Sequence, residues 1–276
     1  MNILIIGCGY IGTALGKLLT SSGHRVWGLR RDPRTLPEEF IPIKCDLANL
    51  DKLKFDFKPD YVFFMPSADK RDLETYKSTY LIGAENLIKC LNFNKALPKR
   101  LFYISSTSVY TQDNGEIVDE STKLENLNPY ASLLVAAEDV IRQQQIPYTI
   151  VRFSGIYGPG RKYLINQIKD GKIKRSLNPV YVNNIHQEDC AGILQFLMSK
   201  PNPRNLYIGV DDEPSYKNSV IEWICKQYQY KLPDILEEYH LTEKLMRSNK
   251  RCSNQLIVSE GYRFIYPNFR EGYAVN

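Results

Sequence analysis

The amino-acid sequence predicts an α/β fold, in which a doubly wound parallel sheet carries helices on both faces and a smaller region follows toward the C-terminus. Three observations predict it. An apolar segment at residues 3–6 runs directly into a glycine-rich turn, as the first strand of such a sheet does. Strand and helix patterns then alternate as far as residue 152. A chain of 276 residues is also long enough to bury a core on both faces of the sheet.

Six segments are predicted as strands because each is short, apolar, rich in β-branched or aromatic residues and bounded by turn residues. They are residues 3–6, 25–29, 40–45, 61–65, 101–105 and 148–152. Apolar residues at helical spacing predict helices after the first, fourth and fifth strands. These helices cover residues 14–19, 76–91 and 133–141. A sheet of six or seven strands is therefore expected.

The turn after the first strand has the spacing G-x-G-x-x-G, formed by Gly7, Gly9 and Gly12, with Tyr10 and Ile11 between the last two. Gly7 allows a tight turn, Gly9 lets the backbone approach a pyrophosphate, and Gly12 lets the following helix lie close to the strand. The N-terminus of that helix offers N–H groups and the positive end of its dipole to phosphates. Because the turn joins a strand to a helix, we predict a dinucleotide site and assign these five residues to it.

Beyond Gly155 the regular alternation weakens, and Gly, Pro and basic residues separate shorter elements. We expect a dinucleotide-binding Rossmann domain over residues 1–155. A smaller substrate-binding region, interleaved with the last elements of the sheet, is expected over residues 156–276. It would lie over the carboxyl edge of the sheet, where open α/β folds bind ligands.

Composition argues against several classes of function. The 36 Lys and Arg and 31 Asp and Glu give a net charge of +5 without long runs of either sign, which indicates no nucleic-acid partner. With no long apolar stretch, no leader pattern and six scattered cysteines, we expect a cytoplasmic protein with no membrane association. The three histidines, His24, His186 and His240, lie far apart without other ligands at metal-binding spacing, so no metal site is predicted.

The second predicted strand ends in Leu29-Arg30-Arg31-Asp32, where a site that prefers NAD carries a carboxylate for the ribose 2′-hydroxyl. The guanidinium groups of Arg30 and Arg31 suit a dianionic 2′-phosphate, so we predict NADP(H) as the cofactor and disfavour NAD(H). The alternative is that Asp32 turns inward as the ribose acceptor. Asp46, after the third strand, either accepts from the adenine amino group or caps a helix.

From the fifth strand onward, four segments follow in an order and separation typical of one known family. They are residues 101–110 (LFYISSTSVY), 128–130 (NPY), 151–160 (VRFSGIYGPG) and 182–189 (VNNIHQED). Together with the glycine turn, they resemble the extended short-chain dehydrogenase/reductases, the NAD(P)-dependent sugar-nucleotide epimerase/dehydratase group. The resemblance covers nearly the whole chain and implies a nicotinamide cofactor.

The resemblance also implies roles for individual residues. In the family, a Ser or Thr four residues before the strand-end Tyr hydrogen-bonds the substrate carbonyl or hydroxyl, and Ser106 holds that position ahead of Tyr110. The alternative for Ser106 is a turn-forming hydroxyl. Tyr130 matches the catalytic tyrosine of the family's Tyr-x-x-x-Lys pair, or else is an aromatic packed at a helix start. Ser67 and Ala68 match the small residues that pass the nicotinamide.

The lysine of that pair is replaced by Leu134. A phenol with an ordinary pKa near 10 is a poor base at neutral pH unless a nearby cation favours its phenolate. Three interpretations stay open: another cation substitutes, Tyr130 acts as a neutral general acid, or the site binds NADP(H) without turnover. The candidate cations by sequence are Lys123, Arg152, Arg161 and Lys162.

We therefore predict an NADP-dependent oxidoreductase or epimerase that acts on a small hydroxyl or carbonyl compound or a sugar-nucleotide-like one, with Ser106 and Tyr130 at the reacting oxygen. The basic segment at residues 169–175 either attracts an anionic substrate or forms a solvated face. A non-catalytic NADP(H)-binding regulator is the alternative, and Leu134 separates the two. We expect a monomer or a homodimer.

Overall fold

The computed structural model of the chain describes residues 1–178, 180–235 and 249–274. The strands are β1 (Asn2–Ile6), β2 (Arg25–Arg30), β3 (Ile41–Lys44), β4 (Tyr61–Phe64), β5 (Arg100–Ser106), β6 (Glu116–Val118), β7 (Tyr148–Phe153), β8 (Ile156–Tyr157), β9 (Tyr181–Val182), β10 (Ile185–His186), β11 (Leu206–Gly209), β12 (Ser215–Tyr216) and β13 (Lys250–Cys252). The α-helices are α1 (Tyr10–Ser21), α2 (Leu73–Tyr76), α3 (Gly83–Phe93), α4 (Pro129–Arg142), α5 (Tyr163–Lys169), α6 (Gln187–Ser199), α7 (Lys217–Tyr228), α8 (Gln255–Ser259) and α9 (Phe269–Ala274). A π-helical turn at Lys77–Ile82 joins α2 to α3.

Seven parallel strands form the central sheet in the order β11-β7-β5-β4-β1-β2-β3. The chain runs outward from β1 through β2 to β3, then returns to β4 on the other side of β1 and continues to β11. The carboxyl ends of β1 and β4 therefore flank the point where the strand order reverses, which is where open α/β folds bind ligands. The predicted α/β fold is confirmed, and all six predicted strands are present.

Each face of the sheet has its own core, because side chains alternate along a strand. Ile3 and Ile5 of β1 pack with apolar residues of α1 and α6 on one face. Leu4 and Ile6 pack with apolar residues of α3 on the other. Both faces of β1 are thus covered, which explains why an uninterrupted apolar run forms this strand.

The C-terminal part of the chain contributes a strand that the sequence analysis did not predict. β11 pairs with β7 and forms one edge of the central sheet. Separate from that sheet, β13 pairs in parallel with β6, which brings Lys250 beside Glu116. Within the described ranges, no helix combines the length and the apolar character that a membrane crossing needs.

Candidate functional site

The three glycines of the turn between β1 and α1 are required for different physical reasons. Gly7 has φ +78°, and a Cβ there would overlap the carbonyl oxygen of Met65. At Gly12 a Cβ would lie 2.9 Å from Cγ2 of Ile5. At Gly9 the nearest heavy atom to a Cβ would be the carbonyl oxygen of Gly7 at 3.8 Å, so the protein leaves that space open. This space fits a ligand that approaches the backbone closely, as a pyrophosphate does.

The start of α1 adds hydrogen-bond donors to the same place. Gly9 is the N-cap of this helix, and no side chain caps it. The first N–H groups of a helix have no partner within the helix, which applies here to Tyr10, Ile11 and Gly12. Backbone N–H groups at the positive end of a helix dipole have the chemistry of a phosphate site. The donors that a dinucleotide pyrophosphate needs are therefore present.

A cavity of about 320 Å³, called the first cavity here, opens beside the turn. Four residues predicted for the adenosine end line it together. They are Arg30, Arg31, Asp32 and Asp46. The first two end β2 or follow it, and Asp46 follows β3, so the neighbouring carboxyl ends of two strands bring these groups together.

The charged residues after β2 differ in their partners. Arg31 forms a two-point ion pair with Asp69, with Nη1–Oδ2 at 2.6 Å and Nη2–Oδ1 at 2.9 Å. The carboxylate of Asp32 accepts from Nε and Nη2 of Arg34 at 2.8 and 2.7 Å. For the guanidinium of Arg30, the described ranges contain no hydrogen bond or ion pair. Arg30 can therefore bind an anion in the first cavity without breaking a contact, whereas Asp32 would have to leave Arg34 to accept from a ribose.

Asp46 and two further predicted residues, Ser67 and Ala68, differ in whether they line the cavities. The Oδ1 atom of Asp46 accepts from the N–H of Ala48 at 3.0 Å and caps a 3₁₀ turn at Leu47–Lys52, while the residue also lines the first cavity. Ser67 lines both the first cavity and the second one described below. Ala68 lines neither, and its N–H donates to the hydroxyl of Tyr80 at 3.5 Å.

A second cavity of about 630 Å³ lies on the other side of the turn and shares Gly7, Gly9, Met65 and Ser67 with the first. It reaches the carboxyl ends of β5 and β7, and hydroxyl groups are frequent in its wall. They belong to Tyr80, Ser106, Thr107, Ser108, Ser154 and Tyr163, among others. Two cavities that meet at a glycine turn match the shape of a dinucleotide that crosses the turn with its pyrophosphate.

The structure brings Ser106 to the second cavity but not Tyr130. Ser106 ends β5 and its Oγ accepts from the N–H of Ser108 at 3.1 Å, which is the turn-forming contact that the sequence offered as an alternative. Tyr130 lies at the start of α4, where its hydroxyl donates to the carbonyl of Arg71 at 3.2 Å and its ring meets Tyr76 edge-on at 4.9 Å. Tyr130 lines neither cavity.

The face of α4 that follows Tyr130 is buried. Leu134 is 3% exposed and belongs to an apolar cluster with Val109 and Val118, among others. One turn later, Glu138 is fully buried and accepts from Nε and Nη2 of Arg152 at 2.9 and 2.6 Å. Burial opposes ionisation of this carboxyl, but the hydrogen bonds and charge of Arg152 hold the pKa of Glu138 below its ordinary value. This part of the helix therefore has a structural role.

Among the candidate cations named from the sequence, Arg161 lines the second cavity. Its guanidinium lies 5.6 Å from the centroid of the Tyr10 ring, beside the glycine turn. Arg152 is held by Glu138 and lines neither cavity. The other two, Lys123 and Lys162, are exposed and also lie outside both cavity walls.

A further cation in the wall, Lys250, was missed by the sequence analysis. It is 2% exposed and lines the second cavity, and its Nζ donates to the carbonyl of Tyr110 at 2.8 Å. Only the pairing of β13 with β6 brings it there, and no local motif marks such a position. Tyr80 was missed as a wall residue for a related reason, since it lies in a π-helical turn, a feature that sequence patterns do not reveal.

The histidines do not form a metal centre in the described part of the chain. His186 lies before α6 and its Nδ1 accepts from the N–H of Glu188 at 3.3 Å, as a helix cap does. His24 is half-buried elsewhere, and His240 lies outside the described residues. The described ranges contain no group of three or more His, Cys, Asp or Glu side chains arranged to hold a metal ion.

Comparison with known proteins identifies one family. The model of the NAD dependent epimerase/dehydratase family matches residues 3–209, which is most of the chain. An uncharacterized protein of Schizosaccharomyces pombe is 25% identical over 194 residues. That alignment covers 55% of this chain and 53% of the yeast protein, so the chain spans about half the length of the curated relative that it matches.

Solved structures resemble the chain over nearly its full length. A protein from Methylobacillus flagellatus, provisionally described as an NAD-dependent epimerase/dehydratase, is 29% identical with a TM-score of 0.77, over 99% of this chain and 96% of that one. The human epimerase family protein SDR39U1, solved with NADPH, is 17% identical with a TM-score of 0.82, over 99% of this chain and 98% of that one. The second likeness is one of fold.

Proposed function

The chain belongs to the NAD dependent epimerase/dehydratase family, and we propose that it is an NADP(H)-dependent oxidoreductase or epimerase that acts on a small hydroxyl or carbonyl compound. One observation carries the proposal: a single glycine turn joins a cavity lined by Arg30 and Arg31 to a cavity rich in hydroxyl groups. The first would receive the adenosine end of the cofactor, and the second its nicotinamide and the substrate. When bound, the nicotinamide supplies or accepts a hydride.

Several residues of the chain would hold the cofactor. The N–H groups of Tyr10, Ile11 and Gly12 would bind its pyrophosphate, and the open space at Gly9 would let that group approach the backbone. Arg30 would bind the 2′-phosphate, since it lines the first cavity and its guanidinium has no hydrogen bond or ion pair in the described ranges. The fold alone does not distinguish NADP(H) from NAD(H), so the preference depends on this basic strand end.

The cofactor preference is tested by measuring the affinity of the full chain for NADPH and NADH by fluorescence titration. We expect Arg30→Ala to weaken NADPH binding by about 10- to 100-fold, the effect of one charge-assisted contact, and to leave NADH binding unchanged. Arg25→Ala is the matched control, because Arg25 is exposed at the opposite end of β2 and lines neither cavity. Equal affinities for the two cofactors, or no loss in Arg30→Ala, would contradict the NADP(H) assignment.

For the chemistry, we assign Ser106 to hold the reacting oxygen of the substrate, since it lies in the wall of the second cavity. Tyr130 remains a predicted catalytic residue, although its hydroxyl is bound to Arg71 and lies outside that wall. The charged side chains of the wall, Arg161 and Lys250, are both basic, which favours an anionic substrate.

Turnover is tested by mixing the protein with NADPH and a panel of small aldehydes, ketones and sugar nucleotides and following the absorbance of the reduced nicotinamide. Ser106→Ala should lower the rate, while Ser132→Ala, an exposed serine on α4, should not. Loss of turnover in Tyr130→Phe would support the prediction for Tyr130. Wild-type activity in that variant would remove Tyr130 from the mechanism.

A non-catalytic NADP(H)-binding regulator is the second candidate, and one observation favours it. Leu134 is buried among apolar side chains, so α4 cannot present a cation to the cofactor at that position. Tight NADPH binding without turnover across the panel would support the regulator, whereas turnover of any member would support the enzyme.

A further inference from the structure

We propose that Lys250 is the proton donor of the second cavity and takes, from a different strand, the place of the cation that Leu134 cannot supply. This proposal rests on the proposed oxidoreductase or epimerase function. Lys250 follows Tyr130 by 120 positions in the sequence, and both residues would then act in the proposed reaction.

The backbone on both sides of Lys250 is fixed. β13 pairs in parallel with β6, and Lys250 lies opposite Glu116. The side chain of Asn183 donates to the carbonyl of Lys250 at 3.0 Å and accepts from the N–H of Cys252 at 2.7 Å. Asn183 is itself buried and precedes Asn184, another residue of the cavity wall. The backbone position from which the Lys250 side chain extends is therefore fixed.

The ammonium group is tied to the segment that carries the cavity serines. Nζ of Lys250 donates to the carbonyl of Tyr110 at 2.8 Å. Tyr110 follows the short turn that begins after Ser106, and its own hydroxyl accepts from Nη1 of Arg152 at 2.8 Å and donates to the carbonyl of Asp119 at 2.9 Å. Lys250 and Ser106 thus share one segment and one cavity wall.

The two cations of the wall have different neighbours. Arg161 is placed over the ring of Tyr10, beside the glycine turn and the expected phosphates. Lys250 is bound to the segment that follows Ser106 at the end of β5. Within the described ranges no Asp or Glu lines this cavity. At 2% exposure, the Lys250 side chain is almost entirely removed from bulk solvent.

Burial also adjusts the acidity of this group. Removal from water lowers the pKa of the Lys250 ammonium, and the nearby thiol of Cys252 opposes that shift. A lysine with a lowered pKa gives up a proton near neutral pH more readily than an exposed one. The arginine in the same wall cannot do this, because a guanidinium stays protonated.

The step can be written for reduction of a carbonyl compound. As the carbonyl carbon gains a hydride from the reduced dinucleotide, the π electron pair moves to the oxygen. The Nζ–H bond of Lys250 breaks, and the proton forms an O–H bond with that oxygen, while the hydroxyl of Ser106 donates a hydrogen bond to it. Lys250 is left as a neutral amine and regains a proton from water. Oxidation of an alcohol runs through the reverse transfers.

The first test needs no substrate. Wild-type protein is treated with formaldehyde and cyanoborohydride near neutral pH, with and without NADPH, and methylation of each lysine is followed by mass spectrometry. Lys250 should be methylated, and NADPH at ten times its Kd should slow that reaction about tenfold by mass action. Lys200, which is paired with Glu260 outside both cavities, is the internal control and should not respond. An unreactive Lys250, or one that NADPH does not protect, overturns the proposal.

The second test compares Lys250→Met and Lys250→Arg with wild type in single-turnover oxidation of bound NADPH by any active member of the carbonyl panel. Both variants should lose about 10²- to 10⁴-fold in rate, the usual contribution of general acid catalysis. NADPH affinity should stay within about threefold, because the proposed role of Lys250 is at the reacting oxygen rather than at the phosphates. Lys200→Met is the matched control, and thermal melting shows that each variant is folded.

The outcomes separate this proposal from the one on which it rests. Wild-type turnover that Lys250→Met retains, or full activity in Lys250→Arg, overturns the proton-donor role and leaves the proposed function in place. A wild-type protein that binds NADPH and turns over no member of the panel overturns both. Failure to bind NADPH overturns the proposed function before Lys250 is involved.

Discussion

Replacing Gly9 with alanine adds one methyl group at the centre of the proposed cofactor site. In the free protein, the nearest heavy atom to that methyl would be the carbonyl oxygen of Gly7 at 3.8 Å, an ordinary contact, and φ of −98° is not in the left-handed region. We therefore expect the free energy of unfolding to change by no more than about 1 kcal/mol. The methyl would, however, occupy the space through which a pyrophosphate approaches the N–H groups of α1. Loss of one or two charge-assisted hydrogen bonds, about 1.5–3 kcal/mol each, should weaken NADPH binding by about 10- to 100-fold or more.

Gly12→Ala is the matched control within the same turn. Its Cβ would lie 2.9 Å from Cγ2 of Ile5 in the core, so we expect a loss of about 1–3 kcal/mol of stability from overpacking. Urea unfolding and calorimetric titration with NADPH measure both quantities on both variants. Wild-type affinity in Gly9→Ala would refute the reasoning, and so would a stability loss in Gly9→Ala that equals the one in Gly12→Ala.

Three further predictions concern buried polar and apolar groups. Arg152→Met should cost about 1.5–3 kcal/mol of stability in urea unfolding, because the buried carboxylate of Glu138 would lose two charge-assisted hydrogen bonds and keep those from Ser105 and Arg142; a loss below about 1 kcal/mol would contradict this. Burial raises the pKa of Asp211 from 3.8 to about 9, so the folded state holds a proton that the unfolded state releases in that window. The unfolding free energy of wild type should therefore fall between these pH values, by up to about 1.4 kcal/mol per pH unit, relative to Asp211→Asn; parallel pH curves would contradict it. Leu134→Lys should lower the melting temperature and restore no activity to a Lys250→Met variant, since residue 134 faces an apolar cluster rather than the cavity.

Much of the fold followed from the sequence because the strands of a sheet covered on both faces are uninterrupted apolar runs. Residues 3–6 and 101–105 are such runs, and they form the middle of β1 and β5. β11 was not predicted, since the segment LYIG is short and lies far along the chain from its partner β7. Pairing over that distance depends on tertiary packing, which no local pattern contains.

The positions of candidate site residues are easiest to predict where those residues lie at the ends of strands. The glycine turn and Arg30 lie at the ends of predicted strands, so their approach to the first cavity follows from strand order alone. The match to a family motif predicts a catalytic role for Tyr130. Its hydroxyl, however, donates to the carbonyl of Arg71, and Tyr130 does not line the second cavity. Lys250 enters that cavity through the β6–β13 pairing, and its importance depends on burial that a sequence does not display.

The central claim is that the turn between the two cavities holds a nicotinamide dinucleotide. Calorimetric titration of the wild-type 276-residue chain with NADPH tests it most directly. One site per chain is expected, with a Kd in the range usual for enzyme ligands, about 1–100 μM or tighter. No heat of binding and no thermal stabilisation at about 1 mM NADPH, about ten times the upper end of that range, would contradict the account.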